Sequence, residues 1–120
     1  MRLLVTGSRN WANRKAVGRA LYEAWTEAGS PTDAVLVHGA ARGLDSIAAD
    51  IWSSKGLKVE AHSAKWDEFG KRAGILRNIE MVEQGADVCL AFPIGASVGT
   101  RHCMRTAAAA GIRVVDKGDV

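Results

Sequence analysis

Four times in this chain a stretch of helical period runs into a glycine and then into a short apolar run, at Gly29, Gly56, Gly85 and Gly111. Helix, glycine and strand repeated in series are what a parallel sheet with crossover helices requires. The apolar runs predict five strands, Leu3–Thr6, Ala34–His38, Lys58–Ala61, Val88–Phe92 and Ile112–Val115. Most are nearly continuous apolar segments, as parallel strands covered on both faces are. Between them, Val17, Leu21, Ala24, Trp25 and Ala28 keep to one helical face, and Leu44, Ile47, Ala48 and Ile51 repeat the spacing. Ile75, Ile79 and Val82 mark a third helix, and Met104, Ala107 and Ala108 a fourth. A glycine just past a helix takes the left-handed closing conformation without a Cβ penalty, so the four glycines predict four helix ends.

Right-handed crossovers with helices on both faces predict a three-layer α/β/α Rossmann-like sandwich, an α/β fold with a five-stranded parallel sheet in the order 3-2-1-4-5. Residues 1–116 are expected to form a single domain, with 117–120 as a short C-terminal tail. At 120 residues the chain fits one hydrophobic core and excludes a multidomain enzyme. Its 48% apolar and 24% charged residues exclude a disordered chain. Cys89 and Cys103 do not make a disulfide framework and belong to no CxxC pair, which predicts thiols in a reducing cytoplasm. The apolar run from Met1 to Gly7 is too short for a signal peptide or a membrane span, so no membrane partner is expected.

In a doubly wound sheet, ligands bind outside the carboxyl ends of the strands where the winding reverses, here between the first and fourth strands. The loops leaving those ends are rich in glycine and arginine. They read Gly7-Ser8-Arg9 after strand one, His38-Gly39-Ala40-Ala41-Arg42-Gly43-Leu44-Asp45 after strand two, and Pro93-Ile94-Gly95-Ala96-Ser97-Val98-Gly99-Thr100-Arg101 after strand four. After strand three a long loop from His62 to Arg72 carries Trp66 and leads to Arg77, Asn78 and Glu80. Unpaired amides at a helix N-terminus cradle phosphate, and arginine adds a planar fork of donors. The loops after strands two and four predict two such cradles, and Arg9, Arg42, Arg77 and Arg101 are expected to converge on one rim. Trp11 and Trp66 are placed to stack on a base or to cover the sheet end. Asp45, Asp67 and Glu80 either cap helices and pair the arginines or hold ribose hydroxyls.

Other chemistries lack their signatures. His38, His62 and His102 have no ligand spacing that fixes a metal, Ser8 sits in no GxSxG turn, no lysine precedes Thr100 as in a Walker loop, and no GxGxxG follows strand one. No metal or cofactor is therefore expected, no catalytic residue is assigned, and whether the chain is an enzyme stays open. Sixteen lysines and arginines against thirteen acidic residues give a net charge of +3, suited to an anionic ligand but thin for a nucleic-acid coat. The four rim arginines alone exceed that balance.

Gly7-Ser8-Arg9, His38 to Asp45, Trp66 with Gly74 and Arg77 to Met81, Ala91-Phe92-Pro93 and Gly99-Thr100 together resemble the YspA, cpYpsA-related branch of the SLOG superfamily, over nearly the whole chain. The resemblance implies a protein of bacteria or phage with a site for a nucleotide or nucleotide-derived ligand at the carboxyl ends of the strands. The ligand-binding residues it favours, with the loop chemistry, are Gly7, Ser8, Arg9, Gly39, Arg42, Gly43, Asp45, Trp66, Arg77, Asn78, Glu80, Pro93, Gly95, Gly99, Thr100 and Arg101. LOG relatives cleave the N-glycosidic bond of nucleoside monophosphates with a PGGxGTxxE block. Here two residues are inserted in that block and Cys103 stands at the glutamate position. DprA relatives bind single-stranded DNA. A nucleotide-binding protein is thus the first expectation, a phosphoribohydrolase the second and a DNA binder the third. LOG-like relatives also imply a homodimer.

Overall fold

The computed structural model describes residues 1–118; the last two residues of the expected C-terminal tail lie outside the described residues. The order is β1 (Arg2–Gly7), α1 (Arg14–Glu27), β2 (Val35–His38), α2 (Leu44–Ser54), β3 (Lys58–Ala61), a short α3 (Trp66–Phe69), a 3-10 turn (Gly70–Arg72), α4 (Ala73–Glu83), β4 (Val88–Phe92), α5 (Val98–Ala109) and β5 (Arg113–Asp116). The strands form one sheet in the order β3-β2-β1-β4-β5, parallel at every pairing. This is the sandwich that the punctuation predicts.

Side chains alternate across a strand, so neighbouring residues of the central strands feed different layers. Leu3 and Val5 of β1 pack with Val17 and Leu21 of α1 and with Leu44, Ala48 and Trp52 of α2. Leu4, between them, packs with Met81 and Val82 of α4 and Cys103 and Ala107 of α5. β1 and β4 are therefore buried on both faces. The edge strands β3 and β5 carry Lys58, Glu60, Arg113 and Asp116, charges that discourage further strand pairing.

The four closing glycines follow α1, α2, α4 and α5 with φ between 77° and 88°, and each donates its N–H to the carbonyl three residues back. At α5 the next residue joins the closing turn, Ile112 N–H donating to the Ala107 carbonyl at 3.0 Å. That bond explains why β5 begins at Arg113 and runs to Asp116 rather than starting at Ile112. The long loop after β3 is partly helical: Glu68 and Phe69 both donate to the Lys65 carbonyl, and Gly70, with φ of 57°, turns this single helical stretch into the 3-10 turn ahead of α4.

Candidate ligand-binding site

A cavity of about 550 Å³ opens at the carboxyl end of β1, walled by the β2 loop, α4 and the start of α5, beside the point where the winding reverses toward β4. Its floor is the turn that leaves β1. Ser8 N–H donates to the Phe92 carbonyl at 3.0 Å, and the Ser8 carbonyl accepts from Trp11 N–H and from Leu44 N–H, which ties the end of β1 to the start of α2. That crossing leaves no space for side chains. A β-carbon at Gly43, where φ is 75°, would lie 2.5 Å from the Arg9 carbonyl, and one at Gly7 would run into Leu44. Gly43 serves the close approach of two backbones, and Gly7 lets the Leu44 side chain pack onto the end of β1.

The α2 cradle is filled by the chain's own groups. Asp45 Oδ2 accepts from Gly39 N–H at 3.0 Å and Ala41 N–H at 3.3 Å, and His38 Nδ1 accepts from Ala40 N–H at 2.9 Å. Burial pushes the Asp45 carboxyl up to about 6, against the lowering effects of the Ala41 and Gly39 amides and the Arg77 and Arg9 charges. Asp45 lines the cavity and is 5% exposed, and its Oδ1 accepts no hydrogen bond from the described residues. Desolvation, with His62 and Arg77 nearby, also lowers the pKa of His38.

A second chain of contacts crosses the cavity from the β2 loop to α5. Arg77 on α4 donates through Nη1 to the Gly39 carbonyl and through Nε to Asn78 Oδ1 at 2.9 Å. Asn78, 3% exposed, donates through Nδ2 to the Gly99 carbonyl at 3.1 Å and lies 3.2 Å from His102 Nδ1. Asn78 thus pins the first turn of α5 against α4. Ser97 at the α5 N-cap sits in the left-handed region, with φ of 40°, and its side chain makes no capping bond. The α5 N-terminus is the cradle that remains open, with Ser97, Gly99 and Thr100 in the cavity wall.

On the outer wall, the Arg9 guanidinium lies 5.8 Å from the Trp66 ring centroid, in cation–π range. Trp66 is 47% exposed. An adjoining recess of about 390 Å³ continues past this pair and adds Arg42.

The structure does not gather every expected residue. Arg101 points back over its own loop, donating to the Gly95 and Ala96 carbonyls, and neither Arg101 nor Gly95 lines the cavity or the recess. Pro93 is buried outside both, against Gly118, and Glu80 faces His62 at 3.9 Å. Trp11 packs edge-on against Phe92, with ring centroids 5.2 Å apart, and is 7% exposed, which makes it a core residue. Arg105 and Lys71 do line the cavity. Arg105 falls one helical turn beyond Arg101, so the helical period could have found it; Lys71 lies in the segment read as loop.

Cys103 is fully buried and faces Cys89 and Thr6 rather than the cavity. Hydrogen bonding to Cys103 and burial keep the Cys89 thiol protonated. Among the described residues no cluster of three potential metal ligands occurs, and no helix is long and apolar enough to cross a membrane.

The family model of the YspA, cpYpsA-related SLOG family matches residues 1–69, which take in the β1 and β2 loops and Trp66. The chain is 55% identical over 124 residues to the Gene 61 protein of Mycobacterium phage D29, an alignment that covers 98% of this chain and 97% of the phage protein. No solved structure matches the chain significantly.

Proposed function

The chain belongs to the YspA, cpYpsA-related SLOG family, and from that premise we propose that it binds a nucleotide or nucleotide-derived ligand in the cavity at the carboxyl end of β1, walled by the β2 loop, α4 and the start of α5. The observation that carries this reading is one cavity that combines an open helix N-terminus, the cationic Arg9, Arg77, Lys71 and Arg105, and a half-exposed tryptophan. Amides and cations suit a phosphate, and the indole face suits a base. A DNA strand calls for an extended basic track, whereas Arg101 turns back on its own loop and leaves the cations gathered in one hollow.

Calorimetric titration with nucleoside mono-, di- and triphosphates, cyclic nucleotides, NAD and ADP-ribose tests this. Saturable binding of one of them, lost on Arg77→Ala, is the expected result. Absence of binding across the set overturns it.

Asp45 supports a second reading, a phosphoribohydrolase. Cys103, at the glutamate position of LOG enzymes, contributes nothing to the cavity, whereas Asp45 lines it and Asp67 and Glu80 do not. Cleavage of an N-glycosidic bond develops positive charge on the sugar that a carboxylate there would stabilise. Release of free base from nucleoside monophosphates, abolished by Asp45→Asn, would establish this activity; no release at high enzyme concentration would exclude it.

A further inference from the structure

Asp45 holds more acceptor capacity than the fold uses. Its Oδ2 satisfies the Gly39 and Ala41 amides, whereas Oδ1 accepts no hydrogen bond from the described residues. A buried carboxylate oxygen without a donor is costly, and native structures rarely leave one so. Among the described residues no ion pair meets it either. The position in the first turn of α2 favours its negative charge. Closing the β2 loop takes one oxygen, and the second is left without a donor, buried on a side chain that lines the cavity.

The geometry limits what the missing donor is. A guanidinium or a guanine edge presents two parallel N–H groups and needs both oxygens of a carboxylate. Here one oxygen is already engaged by two amides, so the free one suits a single donor, an O–H or a lone N–H. Its place in the cavity selects further. Trp66 forms the half-exposed outer wall, and the open amides of α5 lie across the cavity beyond Arg77 and Asn78. Asp45 lies deep, beside the ends of β1 and β2. A nucleotide with its base on Trp66 and its phosphate at α5 brings its sugar to that depth.

We propose that the free oxygen of Asp45 accepts a hydrogen bond from a ribose hydroxyl, so that the cavity selects ribonucleotides over deoxyribonucleotides. This selectivity rests on the nucleotide-binding reading. A hydroxyl hydrogen-bonded to a carboxylate in a desolvated site is worth about 10-fold or more in affinity. The remaining contacts, to phosphate and base, are shared by both sugars.

The test is a calorimetric titration of the wild-type protein with the four nucleoside 5′-monophosphates, their 2′-deoxy and 3′-deoxy counterparts, and the same set against Asp45→Asn. The expected result is that the preferred ribonucleotide binds about 10-fold or more tightly than at least one of its two deoxy forms. In Asp45→Asn that ratio falls to near one while the deoxy form still binds. Equal affinity for ribo and both deoxy forms in the wild type overturns the selectivity and leaves nucleotide binding standing. Failure of these monophosphates and of the di- and triphosphates, cyclic nucleotides, NAD and ADP-ribose to bind overturns both. The wild-type comparison decides the matter even where the Asp45 variant folds poorly.

Discussion

Arg77 occupies the space that a side chain at Gly39 would need. A β-carbon at position 39 would fall 2.5 Å from Nη1, 2.8 Å from Cζ and 3.0 Å from Nε, and Nη1 donates to the carbonyl of the same glycine. The obstruction is the end of a flexible side chain, so Gly39→Ala moves the guanidinium and spares the backbone. We expect a loss of about 1 kcal/mol or less in unfolding free energy, together with a loss of nucleotide affinity comparable to that of Arg77→Ala. Gly43→Ala separates the two effects. Its β-carbon would strike the backbone of Arg9 and Ser8 at a φ of 75°, and the expected cost in stability is about 2–3 kcal/mol. Wild-type affinity in Gly39→Ala would show that the placement of Arg77 does not matter to binding.

Asp45 predicts an unusual pH dependence. Its carboxyl titrates at about 6 in the folded protein against 3.8 ordinarily, chiefly because burial penalises the charge. The folded state therefore holds this proton more tightly than the unfolded state. Stability from this group is present at low pH, falls as pH rises from about 4 to about 6, and stays lost above that, a swing of roughly 3 kcal/mol. Asp45→Asn removes the titration. Denaturant unfolding of both proteins from pH 4 to 7 should show the variant gaining on the wild type as pH rises; parallel curves would refute the assignment. Because the ionised carboxylate is the better acceptor, ribonucleotide binding should tighten over the same window.

The architecture was legible in the sequence because two independent signals coincide: apolar runs bounded by helical stripes, and a glycine at each helix end whose hydrogen bonds the fold then makes. The third strand reads least like a continuous apolar run because β3 is an edge that carries Lys58 and Glu60. The site was legible by loop but not by side-chain direction. Arg77 and Arg101 carry the same rim chemistry in sequence, yet one is drawn inward by the Gly39 carbonyl and Asn78, while the other is captured by the Gly95 and Ala96 carbonyls of its own loop. The same holds for the two cradles. Asp45 closes the first through bonds to amides four and six residues back, a local folding of the loop that spacing does not reveal.

Glu60 predicts the opposite acid behaviour at the sheet edge. Its carboxylate accepts from Arg2 Nη2 at 2.7 Å and lies 2.8 Å from His62 Nε2, and these two partners hold it down at about 2 against an ordinary 4.5. The stability it contributes is complete above about pH 4.5 and is lost as pH falls toward about 2. Because the pair is partly exposed and screened, the contribution is about 1 kcal/mol. Glu60→Gln should lower stability at pH 7 by that amount and leave it unchanged at pH 2. An equal deficit at both pH values would assign the effect to packing.

Trp66 offers an optical report on the cavity. Of the four tryptophans, Trp11 and Trp52 are buried, and Trp25 donates its indole N–H to the Pro31 carbonyl on the far side of α1. Trp66 alone stands in the cavity wall, its ring next to the Arg9 guanidinium. A base that stacks there displaces solvent from the indole and shifts its emission. Stacking of a base on an aromatic ring is worth about 1–3 kcal/mol, so Trp66→Ala should weaken nucleotide binding roughly 5- to 100-fold with little change in stability. Trp66→Phe keeps a stacking face and removes the fluorophore. Its calorimetric affinity should stay within about threefold of wild type while the ligand-induced fluorescence change disappears. Persistence of that change in Trp66→Phe, or undiminished binding in Trp66→Ala, would place the base elsewhere in the cavity.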